Sequence, residues 1–254
     1  MGQVILEARD LRKEFSGFLA VDGVDLKVEE GTVHALIGPN GAGKTTTFNL
    51  LTKFVDPTSG SIFFRGQDIT RMPPAKIAKL GMVRSFQISA IFPSLTLREN
   101  LLVAMQLHSH QSLTFWRASK IDTGMNDRID QLLEQVGLLQ EASSIAGDIS
   151  YGKRRALEIA TTLALDPAVL LLDEPMSGLG GEDIHRVTQI IQSFKGNKTV
   201  LMVEHNLSVV ASLSDRITVL ARGRKIAEGT YAQVSVDLEV QTAYIGNASV
   251  TAHG

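Results

Sequence analysis

Gly38-Pro39-Asn40-Gly41-Ala42-Gly43-Lys44-Thr45-Thr46 fits the pattern G-x-x-x-x-G-K-[ST], a loop that wraps a nucleoside triphosphate. The apolar run Val33-His34-Ala35-Leu36-Ile37 before it predicts a buried strand, and Thr45 to Lys53 after it predicts a helix. The motif requires that strand–loop–helix context. Glycines let backbone N–H groups turn inward onto phosphate oxygens. The helix N-terminus adds partial positive charge at the same place. Lys44 brings a full charge near the β- and γ-phosphates, and Thr45 offers a hydroxyl to Mg²⁺.

Further along, Leu170-Leu171-Leu172-Asp173-Glu174-Pro175 sets two acids at the end of a buried strand, the edge where open α/β sheets bind ligands. There Asp173 would orient a Mg²⁺ shell and Glu174 would polarise an attacking water. Gln87 follows Val83-Arg84-Ser85-Phe86; it is either a contact to Mg²⁺ and water or an ordinary polar loop residue. Ser150 opens a helix in Ile149-Ser150-Tyr151-Gly152-Lys153-Arg154. That geometry suits a plain cap and equally an anion site of backbone N–H groups. The basic run Lys153-Arg154-Arg155 fits a solvated face better than a nucleic-acid patch. His205 ends the apolar strand Val200-Leu201-Met202-Val203; such a histidine is structural or, beside a γ-phosphate, a hydrogen-bond donor that senses hydrolysis.

The 254 residues suffice for one large domain or one domain with an inserted lobe, and 44% hydrophobic content supplies a core. A net charge of −2 argues against a general nucleic-acid binder. With no cysteine there is neither a disulfide framework nor a thiolate metal site, which fits a reducing compartment. The N-terminus has no signal pattern, and no apolar run approaches the ~18 residues that cross a bilayer. The chain is expected to be soluble by itself, so a membrane role needs a partner.

Short strands are expected over Val4 to Ala8, Leu19 to Val28 and Ser61 to Arg65, with turns at Asp56 to Gly60 and at Gly66-Gln67-Asp68. Pro73-Pro74 is expected to open a short helix over Ala75 to Leu80, because prolines suit a helix start. From Thr96 to about Leu165 the pattern is helical, with Met125, Ile129, Leu132, Leu133 and Val136 on one face. His108 to Gly124 reads as a long polar loop. After Pro167, strand and helix alternate again: Ala168 to Leu172, Glu182 to Phe194, Thr199 to Val203 and Ile217 to Ala221. The sum is an α/β fold with a mostly parallel central sheet and a helical insert.

The ordered set of phosphate loop, Gln87, Ser150-Tyr151-Gly152-Lys153, Leu172-Asp173-Glu174, Ser177-Gly178-Leu179-Gly180 and His205 resembles the ATP-binding cassette ATPases over nearly the whole chain. The resemblance implies a phosphate-loop core with an antiparallel β subdomain and an inserted helical subdomain. One cassette would span 1–254, with its nucleotide-binding core at 1–87 and 160–236, the helical lobe at 88–159 and a short tail at 237–254, whose end from Asn247 is expected to be disordered. It implies a head-to-tail dimer that holds ATP and Mg²⁺ between Pro39 to Thr46 of one copy and Ser150, Tyr151, Gly152 and Lys153 of the other. Thr45, Gln87 and Asp173 would hold the metal; Lys44, Gln87, Glu174 and His205 would serve catalysis. Phe15 and Val21 would contact the nucleotide, Phe15 by stacking on adenine; a half-buried core side chain is the other reading of Phe15.

Within the family, Val83-Arg84-Ser85-Phe86-Gln87, Ser150-Tyr151-Gly152, Ala243-Tyr244-Ile245-Gly246 and the loop from His108 look like the larger ATPase of branched-chain amino acid importers. That likeness implies permease subunits, a second ATPase that is a copy or a relative, an indirect link to a solute-binding protein, and a peripheral place on the cytoplasmic side of the inner membrane. A groove near Gln87 and Ile91 to Leu95 would meet the permease. The pattern departs from the family at Tyr151, where a glycine is usual, at Lys153, where glutamine is usual, and at Gly180, where Asp or Asn is usual. An exporter ATPase of lipid or lipopolysaccharide type, a soluble cassette acting on DNA or ribosomes, and a non-catalytic nucleotide-binding scaffold are the alternatives.

Overall fold

The computed structural model describes residues 2–85, 91–108 and 123–248, and the side chains of these except 107, 108, 123 and 245–248. Gln87, most of the expected loop (residues 109–122) and residues 249–254 lie outside them. Two compact units emerge: residues 1–82, 169–175 and 194–254, and residues 83–168 and 176–193. They divide the chain near the expected core and lobe, but the second unit takes in the whole helix after Ser150 and the stretch after Met176.

In the first unit, β1 (Val4–Phe15) pairs antiparallel with β2 (Phe18–Glu29) and β4 (Ser59–Phe64), giving the sheet order β2-β1-β4-β5 with β5 at Gln67–Asp68. Both β1 and β2 are longer than the expected short strands. The polar run Arg9–Glu14 stays in the ladder because a hairpin with one wet face tolerates it. β5 replaces the second half of the turn expected at Gly66 to Asp68. The chain reverses at Arg65 and Gly66, whose φ values of 50° and 77° match a two-residue hairpin turn.

The second sheet has the order β10-β9-β3-β8-β7-β6, from β3 (Val33–Ile37), β6 (Met82–Arg84), β7 (Val169–Asp173), β8 (Thr199–Val203), β9 (Arg216–Ala221) and β10 (Arg224–Gly229). β3 runs parallel to β8 and β9, and β7 parallel to β8, while β10 runs antiparallel to β9. β3 and β8 are buried throughout, which explains their unbroken apolar sequences. Helix α1 (Lys44–Leu51) buries Phe48, Leu50 and Leu51, each worth roughly 1.5–3 kcal/mol. α2 (Pro74–Lys79) starts on its prolines as expected.

The second unit is helical: α3 (Leu97–His108), α4 (Thr123–Gln135), α5 (Tyr151–Leu163) and α6 (Gly181–Gln192), with α5 packed on the other three. The face read from sequence on α4 is buried at Ile129, Leu132, Leu133 and Val136. Three described helices of the first unit were not expected, α7 (Leu207–Leu213), α8 (Tyr231–Ser235) and α9 (Leu238–Ala248), nor was strand β10. α9 occupies most of what the sequence suggested was a tail, and it extends through Ala248 past the start of the expected disorder.

Candidate nucleotide site

The parallel register decides where the chemistry lies. β3, β8 and β7 are neighbours running the same way, with Leu36 opposite Val203 and Val203 opposite Asp173. Their C-terminal ends therefore release the Gly38–Lys44 loop, Glu204-His205 and Asp173-Glu174 at one sheet edge.

The loop is clamped from behind. A Cβ on Gly38 would overlap the Leu220 carbonyl, and one on Gly43 would come 2.6 Å from the Ala20 oxygen. Ala20 is displaced by a bulge between Leu19 and Val21 in the β1–β2 register, and bulges re-aim local groups. The Gly223 N–H donates to the Ala42 carbonyl at 3.0 Å, and Asp22 N–H to the Gly223 carbonyl at 2.8 Å. Gly43 takes φ 94° as the N-cap of α1, a left-handed conformation that suits glycine. Asn40, Gly41 and Thr45 are exposed, while Pro39 and Thr46 are half-buried.

Lys44 is buried, and its ammonium donates to the Gly38 and Pro39 carbonyls at 2.7 and 3.0 Å. Burial lowers its pKa, and the charge of Glu174 partly counters this. Asp173 and Glu174 are half-buried. Glu174 adopts φ 46° and its N–H donates to the Val203 carbonyl at 2.9 Å. A left-handed glutamate costs about 1–3 kcal/mol, and such strain gathers at functional sites. His205 is exposed. Its backbone is set by the buried Glu204 carboxylate, which accepts from the N–H groups of His205 at 2.9 Å and Asn206 at 3.0 Å. Asn206 then caps α7 through Ser208 and Val209. Sequence reading missed Glu204, because a carboxylate next to a loop histidine looks solvated until the fold buries it.

Phe15 is 44% exposed at the tip of the β1–β2 hairpin. Val21 is corrected: it is fully buried and its Cγ2 lies 3.7 Å from a Cβ placed on Gly43. It supports the loop and offers no surface to a base.

In the helical unit, Ser150 is the N-cap of α5 and accepts from the Lys153 N–H at 3.4 Å. Tyr151 is exposed, with Gly178 against its ring. Gly152 is buried against Asp183. Lys153 pairs with Glu141 at 2.5 Å, Arg154 donates to the Gly147 carbonyl at 3.2 Å, and Arg155 is buried and pairs with Glu158 at 2.7 Å. The basic run is thus occupied within its own chain, and the expected solvated face is corrected at Arg155. Gly180, one of the departures, is the N-cap of α6 and makes no side-chain cap. Buried Asn100 clamps the expected permease-facing stretch: it accepts from the Phe92 N–H at 2.8 Å and donates to the Thr96 carbonyl at 2.9 Å, while Phe92 stays 45% exposed.

A glycine-clamped loop at the head of a helix, facing two acids across a parallel sheet edge, defines an α/β protein of the phosphate-loop class. A profile described as ABC transporter matches residues 21–177. The high-affinity branched-chain amino acid transport ATP-binding protein BraF of Pseudomonas aeruginosa is 40% identical over 98% of this chain and all of its own length. The corresponding LivG protein of Escherichia coli is 38% identical with the same coverage of both. A solved ATP-binding cassette of an ABC transporter, in its ADP conformation, is 31% identical with a TM-score of 0.83, over 96% of this chain and 99% of that one. A dimeric cassette bound to ADP and Pi, 21% identical, shares the fold at a TM-score of 0.73, over 89% of this chain and 99% of that one. The chain belongs to the ABC transporter family.

Proposed function

We propose that this chain is the ATP-hydrolysing subunit of an importer of branched-chain amino acids or similar small polar solutes. The observation that carries the ATPase reading is the register of β3, β8 and β7, which releases the Lys44 loop and Asp173-Glu174 at the same end of one parallel sheet. The solute class is supported by the names of relatives that align end to end.

In this reading the loop N–H groups and Lys44 hold the β- and γ-phosphates. The donor set suits Mg²⁺: the Thr45 hydroxyl and Asp173 carboxylate are hard oxygen ligands. Mg²⁺ is usually bound through one or two carboxylates together with waters and substrate phosphates. Gln87, which lies outside the described residues, would be a third ligand, and the ion would neutralise phosphate charge. Glu174 orients a water for in-line attack on the γ-phosphorus and takes up its proton as the bond to the ADP oxygen breaks. His205 hydrogen-bonds the γ-phosphate side of the site. Ser150, Tyr151, Gly152 and Lys153 of a second cassette, a copy or a relative, close over the nucleotide from the opposite side. The site is mostly positioning and electrostatics.

The chain works as one cassette, its first unit binding nucleotide and its helical unit passing closure to permease subunits near Ile91 to Leu95. No helix among the described residues is long and apolar enough to cross a membrane. We place the protein on the cytoplasmic face of the membrane, held there by the permease, and one step removed from a solute-binding protein. The test is to tag the chain in its own cell, solubilise the membranes gently and identify what co-purifies. Multi-spanning permeases with a second cassette are expected; recovery with ribosomes, nucleic acid or nothing would overturn the transport reading and leave the ATPase.

A further inference from the structure

The ring of Phe15 stands at the end of a hairpin closed by Ser16 and Gly17, at φ 47° and 88°. Two residues earlier on β1, the Lys13 ammonium lies over that ring, 4.9 Å from its centroid. The same ammonium donates to the Asp56 carbonyl at 2.9 Å. This is the turn that follows α1, and its Asp56 carboxylate pairs with Lys53. Two more bonds tie the turn to β1: Thr58 N–H to the Arg12 carbonyl at 2.9 Å, and Glu14 N–H to the Thr58 hydroxyl at 3.1 Å. Lys13 is therefore fixed between an exposed ring and the backbone beyond the phosphate-loop helix.

We infer that Lys13 is a positioning residue for the nucleotide base, acting through Phe15. The inference rests on the proposed nucleotide reading of the site. A cation over one face of an aromatic ring is attracted by the ring quadrupole and restrains the ring. One face is thereby occupied, and the opposite face is left to receive a purine. Withdrawal of π density towards the ammonium suits that free face to stacking against an electron-rich base. A ring already held in place loses less freedom when the base arrives, and such preorganisation appears as affinity. The bond to Asp56 links the base platform to the end of α1, whose other end carries Lys44.

The readout is affinity for ATP compared with a ligand that has phosphates and no base. Purified full-length chain is titrated with a ribose-labelled fluorescent ATP, and inorganic tripolyphosphate is used as competitor. Lys13→Met is expected to weaken ATP about two- to fivefold, the scale of an exposed cation–π contact, and to leave tripolyphosphate unchanged. Lys13→Arg, which keeps a cation over the ring, restores ATP affinity. In a Phe15→Leu background, Lys13→Met has no further effect. Equal weakening of ATP and tripolyphosphate by Lys13→Met would overturn the inference, since Lys13 would then act on phosphate charge or on the fold. Unchanged ATP affinity in Lys13→Met, where Phe15→Leu does weaken it, also overturns the inference. If Phe15→Leu is silent while Lys44→Ala abolishes binding, the base platform falls and the phosphate site stands. If the unaltered chain binds neither ligand, the nucleotide reading itself falls.

Discussion

Asp183 occupies the space over Gly152, so that a Cβ on the glycine would overlap its carboxyl group. The start of α5 and the first turn of α6 are thus fitted to each other through a position that admits no side chain. Gly152→Ala forces one of them to move. Misplacing one wall of a closed site costs up to about a hundredfold in rate. We expect ATP turnover to fall on that scale while the chain's own fluorescent-nucleotide affinity stays as it was, because the proposed contact is made to the other cassette. Turnover like that of the unaltered protein would remove Gly152 from the site.

Glu174→Gln keeps the shape of the side chain and removes its basicity. ATP binding should persist, and hydrolysis should drop by about 10²–10⁴-fold, the usual contribution of a placed general base. Phosphate release measured beside nucleotide titration separates the two effects. Unimpaired hydrolysis would take Glu174 out of its role.

Lys153 stands where the family usually has glutamine, and it is committed to Glu141 with both side chains about a third exposed. A pair so wet is worth less than about 1 kcal/mol. Lys153→Gln should therefore leave the melting temperature and the turnover nearly unchanged. A large loss of turnover would mean that the ammonium leaves Glu141 to reach nucleotide in the assembled dimer.

His34 on β3 is fully buried, with Nε2 2.8 Å from the Thr218 hydroxyl and no partner for Nδ1. Burial is the main cause that pushes its pKa from 6.5 down to about 4. The unfolded chain takes up this proton as pH falls through 6.5, whereas the native chain does so only near 4. Stability is therefore full above pH 6.5 and declines towards pH 4, by roughly 3 kcal/mol in total for a shift of this size. Urea denaturation at pH 7.5 and pH 5 should show the decline, and His34→Gln should flatten it. An equal decline in the variant would assign the effect to other groups.

How much of this was legible follows from what each residue touches. β8 has the ends its apolar run predicts, since a strand buried on both faces writes itself as continuous hydrophobicity. β10 left no such trace: at the sheet edge Arg224 and Lys225 are exposed, the next three residues are half-buried and Gly229 is buried. The phosphate loop and both acids could be read because their chemistry is local. Support for the loop was not legible, since Ala20, Leu220 and Gly223 reach it only through tertiary register. α7 could have been found from Asn206 before Leu207, Val209, Val210 and Leu213, a cap followed by an apolar face. Val21 was misplaced because its position in the family pattern says nothing about which way the strand turns it.

The strap from Gly223 to Ala42 has a consequence for how the protein is made. The loop that would grip phosphate is complete in sequence by residue 46, yet its rear support comes from residues 220–223. During synthesis the ribosome must deliver residue 223 before that support exists. Competence to hold nucleotide thus arrives long after the motif itself, and a chain that stops short of Leu220 carries the motif without the grip.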